Sequence, residues 1–478
     1  MKNLIRSTRI LEWRELRILL ISPPTRSVVK EVLGASGPPL GLAYLAAVAR
    51  ECGWEPRIVD GLTENPSQQE LIGLMKGFQP DVVGLTATTT AIYDAYEVAK
   101  IAKEVNPEVK VLIGGPHATF MAEEVLRECP YIDVVVRGEG EETLREILSA
   151  FEKDGSLRDV AGITYREGGA VRENPPRKLI ENLDDLPIPA YDLLPMSKYV
   201  IGKMRFAAIM TSRGCPYNCV FCSSSLQFGK RWRAHSPERV LEELRILREK
   251  HGVREIEFMD DTFTLNQKRA IELSRRIVEE GLDISWSASS RVNTFSREVG
   301  EAMHRAGAHT VYFGIESGSE KTLKFIGKGI TRRQAIDAVK AAKDSGLNAL
   351  GSFVIGFPYE TEEDIKKTIR FSNKVGVDLA QFTIATPYPG TRLWDVALKN
   401  KLLLTRNWRK FTTVDVVMRN LYLTPQRVKK LFLQAYLAFY LHPKKVLLDI
   451  FKNRCFILRR AIPGALRYIK RAFTGFWE

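Results

Sequence analysis

A chain of 478 residues with 45% hydrophobic and 27% charged residues can bury two cores and is too apolar for a disordered or fibrous protein. The formal net charge is +14, and from Pro425 onward twelve basic residues face only Asp449 and Glu478, so ten of those charges lie at the C-terminal end. Six cysteines, three of them between Cys215 and Cys222, exclude a disulfide framework and argue for a reducing compartment.

The opening stretch MKNLIRSTRILEWRELRILLISPP carries charges through its first half and no small-residue cleavage pattern, so it does not read as a signal peptide. The first region alternates short β-branched runs with helical stretches, the pattern of parallel βαβ units. RILLISPP, EPRIVDG, DVVGLTA, VKVLIGGP and DVVVRGEGE read as five strands, and LGLAYLAAVAREC, QQELIGLMKGF, AIYDAYEVAKIAKEV and FMAEEVLREC as the helices between them. Five such strands make a doubly wound, Rossmann-like sheet that binds ligands beyond its carboxyl ends, in the loops after Ser22, Leu85, Ile113 and Val136. Residues 1–155 are expected to form this unit.

Pro175, Pro176, Pro187, Pro189 and Pro195 mark residues 156–205 as a linker. A second α/β series, 206–415, starts at FAAIMTSRGC and continues through REIEFMD, ISWSASS, TVYFGIES, NALGSFVIGF and DLAQFTIATP. Six strands in β-then-α order predict a partial (β/α)6 TIM-type barrel, with its site at the strands' carboxyl ends. Residues 416–478 read as a basic amphipathic helical extension. Such a segment suits a bilayer interface or a cap over apolar barrel surface, and its longest apolar runs fall short of the ~20 residues of a spanning helix.

The loop after the first barrel strand reads Cys215-Pro-Tyr-Asn-Cys219-Val-Phe-Cys222. Three thiolates from one short loop suit three irons of a [4Fe–4S] cubane, with the fourth iron left open. A structural zinc would need a fourth ligand, usually from paired C-x2-C knuckles, and none is near. This spacing, with the aromatic Phe221 before the last cysteine, resembles the radical S-adenosylmethionine (SAM) superfamily. The resemblance implies that Cys215, Cys219 and Cys222 hold the cluster, that SAM chelates the open iron, and that reductive cleavage yields a 5′-deoxyadenosyl radical. It also implies an electron donor such as ferredoxin or flavodoxin. Later segments match the family's SAM-supporting strand ends: Arg291 in SASSRVNT, Glu316 and Ser317 in GIESGSE, and Ile355 and Gly356 in FVIGFP. Asp260 and Asp261 in EFMDDTF replace the Gly-Glu pair that meets the SAM amino group elsewhere, and Asp261 is the candidate contact.

The N-terminal unit resembles the cobalamin-binding domain of B12-dependent enzymes. Thr86 and Thr88 in VGLTAT stand for its Ser-x-Leu element, and Gly114 and Gly115 in IGGPHAT for its Gly-Gly turn. Gly138 and Glu139 in GEGEE complete the expected corrin contacts. The Asp-x-His-x-x-Gly loop that places a histidine below cobalt is absent, its stretch reading GPPLGLAYL, so cobalamin is expected base-off with no axial histidine. His117 follows the wrong strand for that role and is expected to contact the nucleotide tail or cap a helix. Together the two regions resemble the B12-binding-domain radical SAM enzymes over most of the chain. That implies methylation of an unactivated carbon on a hydrophobic small molecule or lipid-like substrate. A cyclase of the same family and a cobalamin-sensing regulatory module are the alternatives. Nucleic acid ranks below a small molecule as partner, because no RNA-binding module appears. The enzyme is expected to be cytoplasmic, and its tail is the candidate for peripheral membrane contact.

Overall fold

Parallel strands buried on both faces need crossover helices, and the chain supplies one after each of its β-branched runs. The protein, seen in a computed structural model, is described here over residues 16–25, 37–153 and 155–443. Strands β1 (Arg17–Ser22), β2 (Glu55–Asp60), β3 (Val82–Thr86), β4 (Lys110–Gly114) and β5 (Val134–Val136) are parallel and lie in the order β2-β1-β3-β4-β5. The order reverses between β1 and β3, which opens a crevice at their carboxyl ends. The segment read as a linker begins differently: β6 (Ile163–Glu167) and β7 (Ala170–Glu173) form an antiparallel hairpin that extends the sheet beyond β5. Gly168 and Gly169 make its two-residue turn with φ of +57° and +84°, a conformation that favours glycine. The rest of the linker is tied to both units, since the Tyr199 hydroxyl donates to Asp60 at 2.9 Å and the Tyr191 hydroxyl to Glu243 at 2.5 Å.

The second sheet starts with β8 (Val200–Ile201) antiparallel to β9 (Met204–Ile209). A separate two-stranded ladder, β10 (Ser212–Arg213) and β11 (Arg233–Ala234), follows. Strands β12 (Glu255–Phe258), β13 (Ser285–Ser290), β14 (Ala308–Glu316), β15 (Asn348–Ile355) and β16 (Leu379–Ile384) then continue in parallel from β9. Six parallel strands with outer helices form the partial barrel. Alternation divides its faces: Ile256, Phe258, Trp286, Val311, Phe313 and Phe382 are buried under the helices. Register places Glu257, Ser287, Tyr312 and Ser352 together on the opposite, inward face.

Helix boundaries follow local chemistry. The helix Pro237–His251 opens with the Ser236 hydroxyl accepting from Arg239 N and with proline in its first turn, and it closes on Gly252 at φ +64°. The helix Pro425–Tyr440 packs Leu431, Phe432, Ala435 and Phe439 on the barrel. Its Tyr436 hydroxyl accepts from Phe382 N at 3.2 Å and donates to Phe382 O at 3.0 Å, and Tyr440 does the same for Ala380 at 3.3 and 2.8 Å. This part of the extension is therefore a barrel cap. The expected membrane-binding stretch at 444–478 lies outside the described residues. Among the described residues no helix is long and apolar enough to cross a membrane.

Candidate functional site

The ladder β10–β11 brackets the cysteine loop. Gly214 opens it at φ +90°, and a Cβ there would stand 2.3 Å from Arg231 O, so only glycine fits. Cys215 N donates to Gly229 O at 3.1 Å and Cys222 N to Cys219 O at 3.2 Å. Buried Val220 pins the loop's middle to the barrel, donating to Ile326 O at 2.9 Å and accepting from Leu393 N at 2.8 Å. The three thiols are free and half-buried, and burial pushes those of Cys215 and Cys222 up. Among the described residues no group of three or more His, Cys, Asp or Glu is arranged to hold a single metal ion. A cubane makes a different demand, because each thiolate takes its own iron at a separate corner. Three thiols on one pinned loop fit that group.

Arg291 reaches this loop. Its side chain is buried, with Nη1 3.7 Å from Cys219 Sγ and its guanidinium 3.5 Å from the centre of the Tyr217 ring. Its Nη2 donates to Lys328 O. Asp261 lies near the cysteines, its carboxyl pushed up by burial, and its Oδ2 is buried without a hydrogen-bond partner. An orphaned carboxylate oxygen beside the cluster loop suits an incoming ammonium such as that of SAM. Asp260 differs: it accepts from Thr211 N, Thr211 Oγ1 and Ser212 Oγ at 2.5–2.7 Å and stiffens the approach to the loop.

At the end of β14 the register shifts between Gly314 and Glu316, and Glu316 adopts φ +63°. The irregularity turns its carboxylate over Gly314, where Oε1 accepts from Lys328 Nζ at 2.8 Å. Ser317 takes another course from that expected of a SAM contact. It is fully buried, its hydroxyl pairs with Thr368 Oγ1 at 2.9 Å and accepts from Ser319 N, and it locks the turn instead. Ile355 also has its side chain sealed beneath the helices, and Gly356 spends its N–H on Glu360 Oε2 at 2.7 Å. Phe221 is half-buried, with its ring 6.1 Å from that of Phe357.

The corrin-side residues fall at the carboxyl ends of β3, β4 and β5. Gly115 has φ +95°, and a Cβ there would meet Ala87 O at 2.8 Å and Thr86 Oγ1 at 2.9 Å, so two loops touch across it. A Cβ on Gly138, at φ +75°, would enter open space, and Gly114 is crowded only at 3.6 Å by Val136 O. Gly138 thus leaves the backbone bare after β5, whereas Gly115 allows the close approach of two loops. Thr88 is exposed and Thr86 half-buried. His117 is 2% exposed, its Nδ1 lies 3.2 Å from Thr89 Oγ1, and its ring meets that of Trp408 edge-on at 4.9 Å. Burial lowers its pKa to about 4, so it is neutral. Glu139 has both carboxylate oxygens engaged, by Arg213, Arg233 and Ile180 N.

Sequence reasoning missed Lys328, Glu360 and the Trp408 lid over His117. Glu360 was signalled by its spacing four residues after Gly356, but it is embedded in YETEED, which reads as an ordinary acidic helix start. The loops at the carboxyl ends of the two sheets meet. Glu139 joins Arg213, Trp408 covers His117, and a Cβ on Gly390 would strike Phe120 at 2.3 Å.

The Radical SAM superfamily model matches residues 209–372, and the B12 binding domain model matches 26–148. The chain is 59% identical over 457 residues, 96% of its length and 99% of the relative's, to uncharacterized methyltransferase PH0819 of Pyrococcus horikoshii. It is 32% identical, over 79% of its length and 69% of the relative's, to the anaerobic magnesium-protoporphyrin IX monomethyl ester cyclase of Rubrivivax gelatinosus. The fold is similar to that of OxsB, a cobalamin-dependent SAM radical enzyme solved with aqua-cobalamin and SAM bound. That similarity has a TM-score of 0.73 at 18% identity and covers 96% of this chain and 81% of that one.

Proposed function

Because the chain belongs to the B12-binding-domain radical SAM enzymes, we propose that it methylates an unactivated carbon of a substrate with a hydrophobic or lipid-like body. The observation that carries this reading is the meeting of the thiol loop and the glycine-lined corrin loops at one interface. In the bound state the [4Fe–4S] cluster and SAM supply the 5′-deoxyadenosyl radical and cobalamin supplies the methyl group. Cys215, Cys219 and Cys222 hold the cluster. Asp261 offers its unpartnered oxygen to the SAM ammonium, and Arg291, already beside Cys219, offers a cation to the SAM carboxylate. Glu316 and Lys328 set the charge at the adjoining strand end. Exposed Leu226 and Met259, near the cysteine loop and the end of β12, give apolar surface to the substrate's body. The inward polar face around Glu257 and Tyr312 suits a polar group at one end of it.

The division of labour we infer assigns corrin to 1–155, with the hairpin at 163–173 added to its sheet. The linker is 156–205, the radical chemistry belongs to 206–415, and the extension is 416–478. Cobalamin binds base-off, with no histidine below cobalt, a reading supported by His117 lying sealed under Trp408. Electrons come from a small carrier such as ferredoxin or flavodoxin, in the reducing cytoplasm that the cysteine usage favours. Peripheral membrane contact falls to 444–478, since the helix before it spends its apolar face on the barrel.

The decisive experiment compares lipids and cofactors of a deletion strain with wild type under anaerobic growth, followed by reconstitution with the precursor that accumulates. Loss of a product one methyl group heavier supports the proposal. Loss of a product two hydrogens lighter instead supports the second reading, a ring-forming cyclase, which the similarity to the Rubrivivax enzyme favours. A corrin that binds stoichiometrically but leaves turnover unchanged points to a sensor role.

A further inference from the structure

Four charged side chains from three segments meet where the two units join, and the chemistry above does not use them. Arg213 and Arg233 are paired neighbours on the β10–β11 ladder that brackets the cysteine loop. Glu139 lies in the loop after β5, and Glu141 opens the helix Glu141–Glu152. Each of the four is 5% exposed. Arg213 donates to Glu139 at 3.2 Å and to Glu141 at 2.6 Å, while Arg233 places two nitrogens 3.0 Å from the oxygens of Glu139. The linker joins in through Ile180 N, which donates to Glu139 at 2.9 Å, and Arg233 also holds Phe228 O, within the cysteine loop, at 2.7 Å. Arg213 is further flanked by the rings of Tyr44 and Phe228, 5.4 and 5.8 Å away.

Stability alone is a weak reason for this quartet. Removing four charges from water costs about what their attraction returns, and an apolar replacement of equal volume often does as well. Glu141 Oε2 and Arg233 Nε are moreover buried without a partner, which an arrangement selected only for stability would avoid. What the quartet does supply is geometry. Arg213 is two residues from Cys215, and the intervening Gly214 is wedged against Arg231 O. Gly138, on the corrin side, directly precedes Glu139. One ion pair therefore spans the step from corrin loop to first cluster ligand.

We propose that Glu139 and Glu141 are positioning residues for the iron–sulfur ligands, holding the base of the cysteine loop from the N-terminal unit and thereby setting the separation between cluster and corrin. The barrel fixes the loop's middle through Val220, and the N-terminal unit fixes its two ends through the arginines. The proposal rests on the cofactor assignment above but not on methyl transfer.

The test uses the full chain reconstituted anaerobically with iron and sulfide. Glu139→Gln keeps the shape and removes one charge. Glu243→Gln is the matched control, since Glu243 is also a buried ion-pair partner, but its partners are Arg239 at 2.9 Å and the Tyr191 hydroxyl at 2.5 Å rather than the ladder arginines. For Glu139→Gln we expect iron affinity to fall on the order of tenfold, the size seen when an orienting partner of a metal ligand is removed. The electron paramagnetic resonance of the reduced cluster should also respond differently to SAM. Glu243→Gln should load fully with the wild-type spectrum at a similar drop in melting temperature. Arg213→Lys, which keeps the charge but cannot reach both carboxylates, should share the loading defect and serves if Glu139→Gln does not fold. A folded variant of either kind with wild-type iron content and wild-type spectra with and without SAM overturns the proposal. Absence of a methylated product from the wild-type enzyme would refute methyl transfer and leave these measurements unaffected.

Discussion

Glu360 offers the clearest test of how the barrel's carboxyl end is held together. It is 2% exposed, its Oε2 accepts from Gly356 N at 2.7 Å and Phe357 N at 3.0 Å, and its Oε1 accepts from Thr322 at 3.1 Å. Burial, only partly offset by those donors, raises its pKa from 4.5 to about 7. Between those two values the folded state keeps a proton that the unfolded state has lost. Stability tied to this group is thus fully present below about pH 4.5 and lost as pH rises through about 7. At ~1.4 kcal/mol per pKa unit the loss is roughly 3 kcal/mol, or several degrees of melting temperature. Glu360→Gln retains the acceptor for both backbone N–H groups and turns its amide toward the Thr322 hydroxyl, but has no charge to bury. Thermal melts from pH 4.5 to 8.5 should show wild type falling relative to the variant, with the gap widening from about pH 4.5 and levelling off above about pH 7. Parallel profiles for the two proteins would refute the reasoning.

Cys215→Ala, Cys219→Ala and Cys222→Ala should each abolish both the cluster and SAM cleavage, whereas Cys52→Ala and Cys129→Ala should leave iron content and 5′-deoxyadenosine formation intact. His117→Ala should lower stability by about 1–3 kcal/mol, as loss of a buried ring does, while spectra of bound cobalamin show the same axial coordination as wild type. Tyr436→Phe and Tyr440→Phe each strip partners from one buried N–H and one C=O, and each should cost about 1–3 kcal/mol in unfolding experiments. Full-length protein should co-sediment with anionic liposomes at low salt, each surface Lys or Arg contributing on the order of 1 kcal/mol, whereas a chain ending after Pro443 keeps its cap helix and should bind much less.

The parallel βαβ units, the partial barrel and the thiol loop were legible because each rests on a repeating or tightly spaced pattern. Period-two and period-3.6 runs identify β1–β5 and β12–β16, and C-x3-C-x2-C has few other uses. What escaped was direction. Sequence spacing brings Ser317 to a strand end but does not reveal that the irregularity at Gly314–Glu316 turns Glu316 inward and Ser317 into the wall. Glu139 lay where a corrin contact was expected, and only its distance to two arginines more than seventy residues away shows that its carboxylate is already engaged. The hairpin at 163–173 was hidden by its polar composition, which suits an edge ribbon as well as a linker. The helix Pro425–Tyr440 was ambiguous for a related reason, since an apolar face does not say whether it meets lipid or protein.

That helix also has a bearing on how the chain survives its own synthesis. Strand β16 ends the barrel sheet, and the outward N–H and C=O groups of a terminal strand form a template on which another chain can pair. Tyr436 and Tyr440 stand ~6 Å apart along the helix, close to the ~6.6 Å between alternate residues of a strand. Their hydroxyls, each both donor and acceptor, thus imitate a neighbouring strand at Ala380 and Phe382. Until residues 425–440 have left the ribosome, a nascent chain that has completed β16 displays that template bare, and neighbouring chains on one message are the nearest strands to fill it.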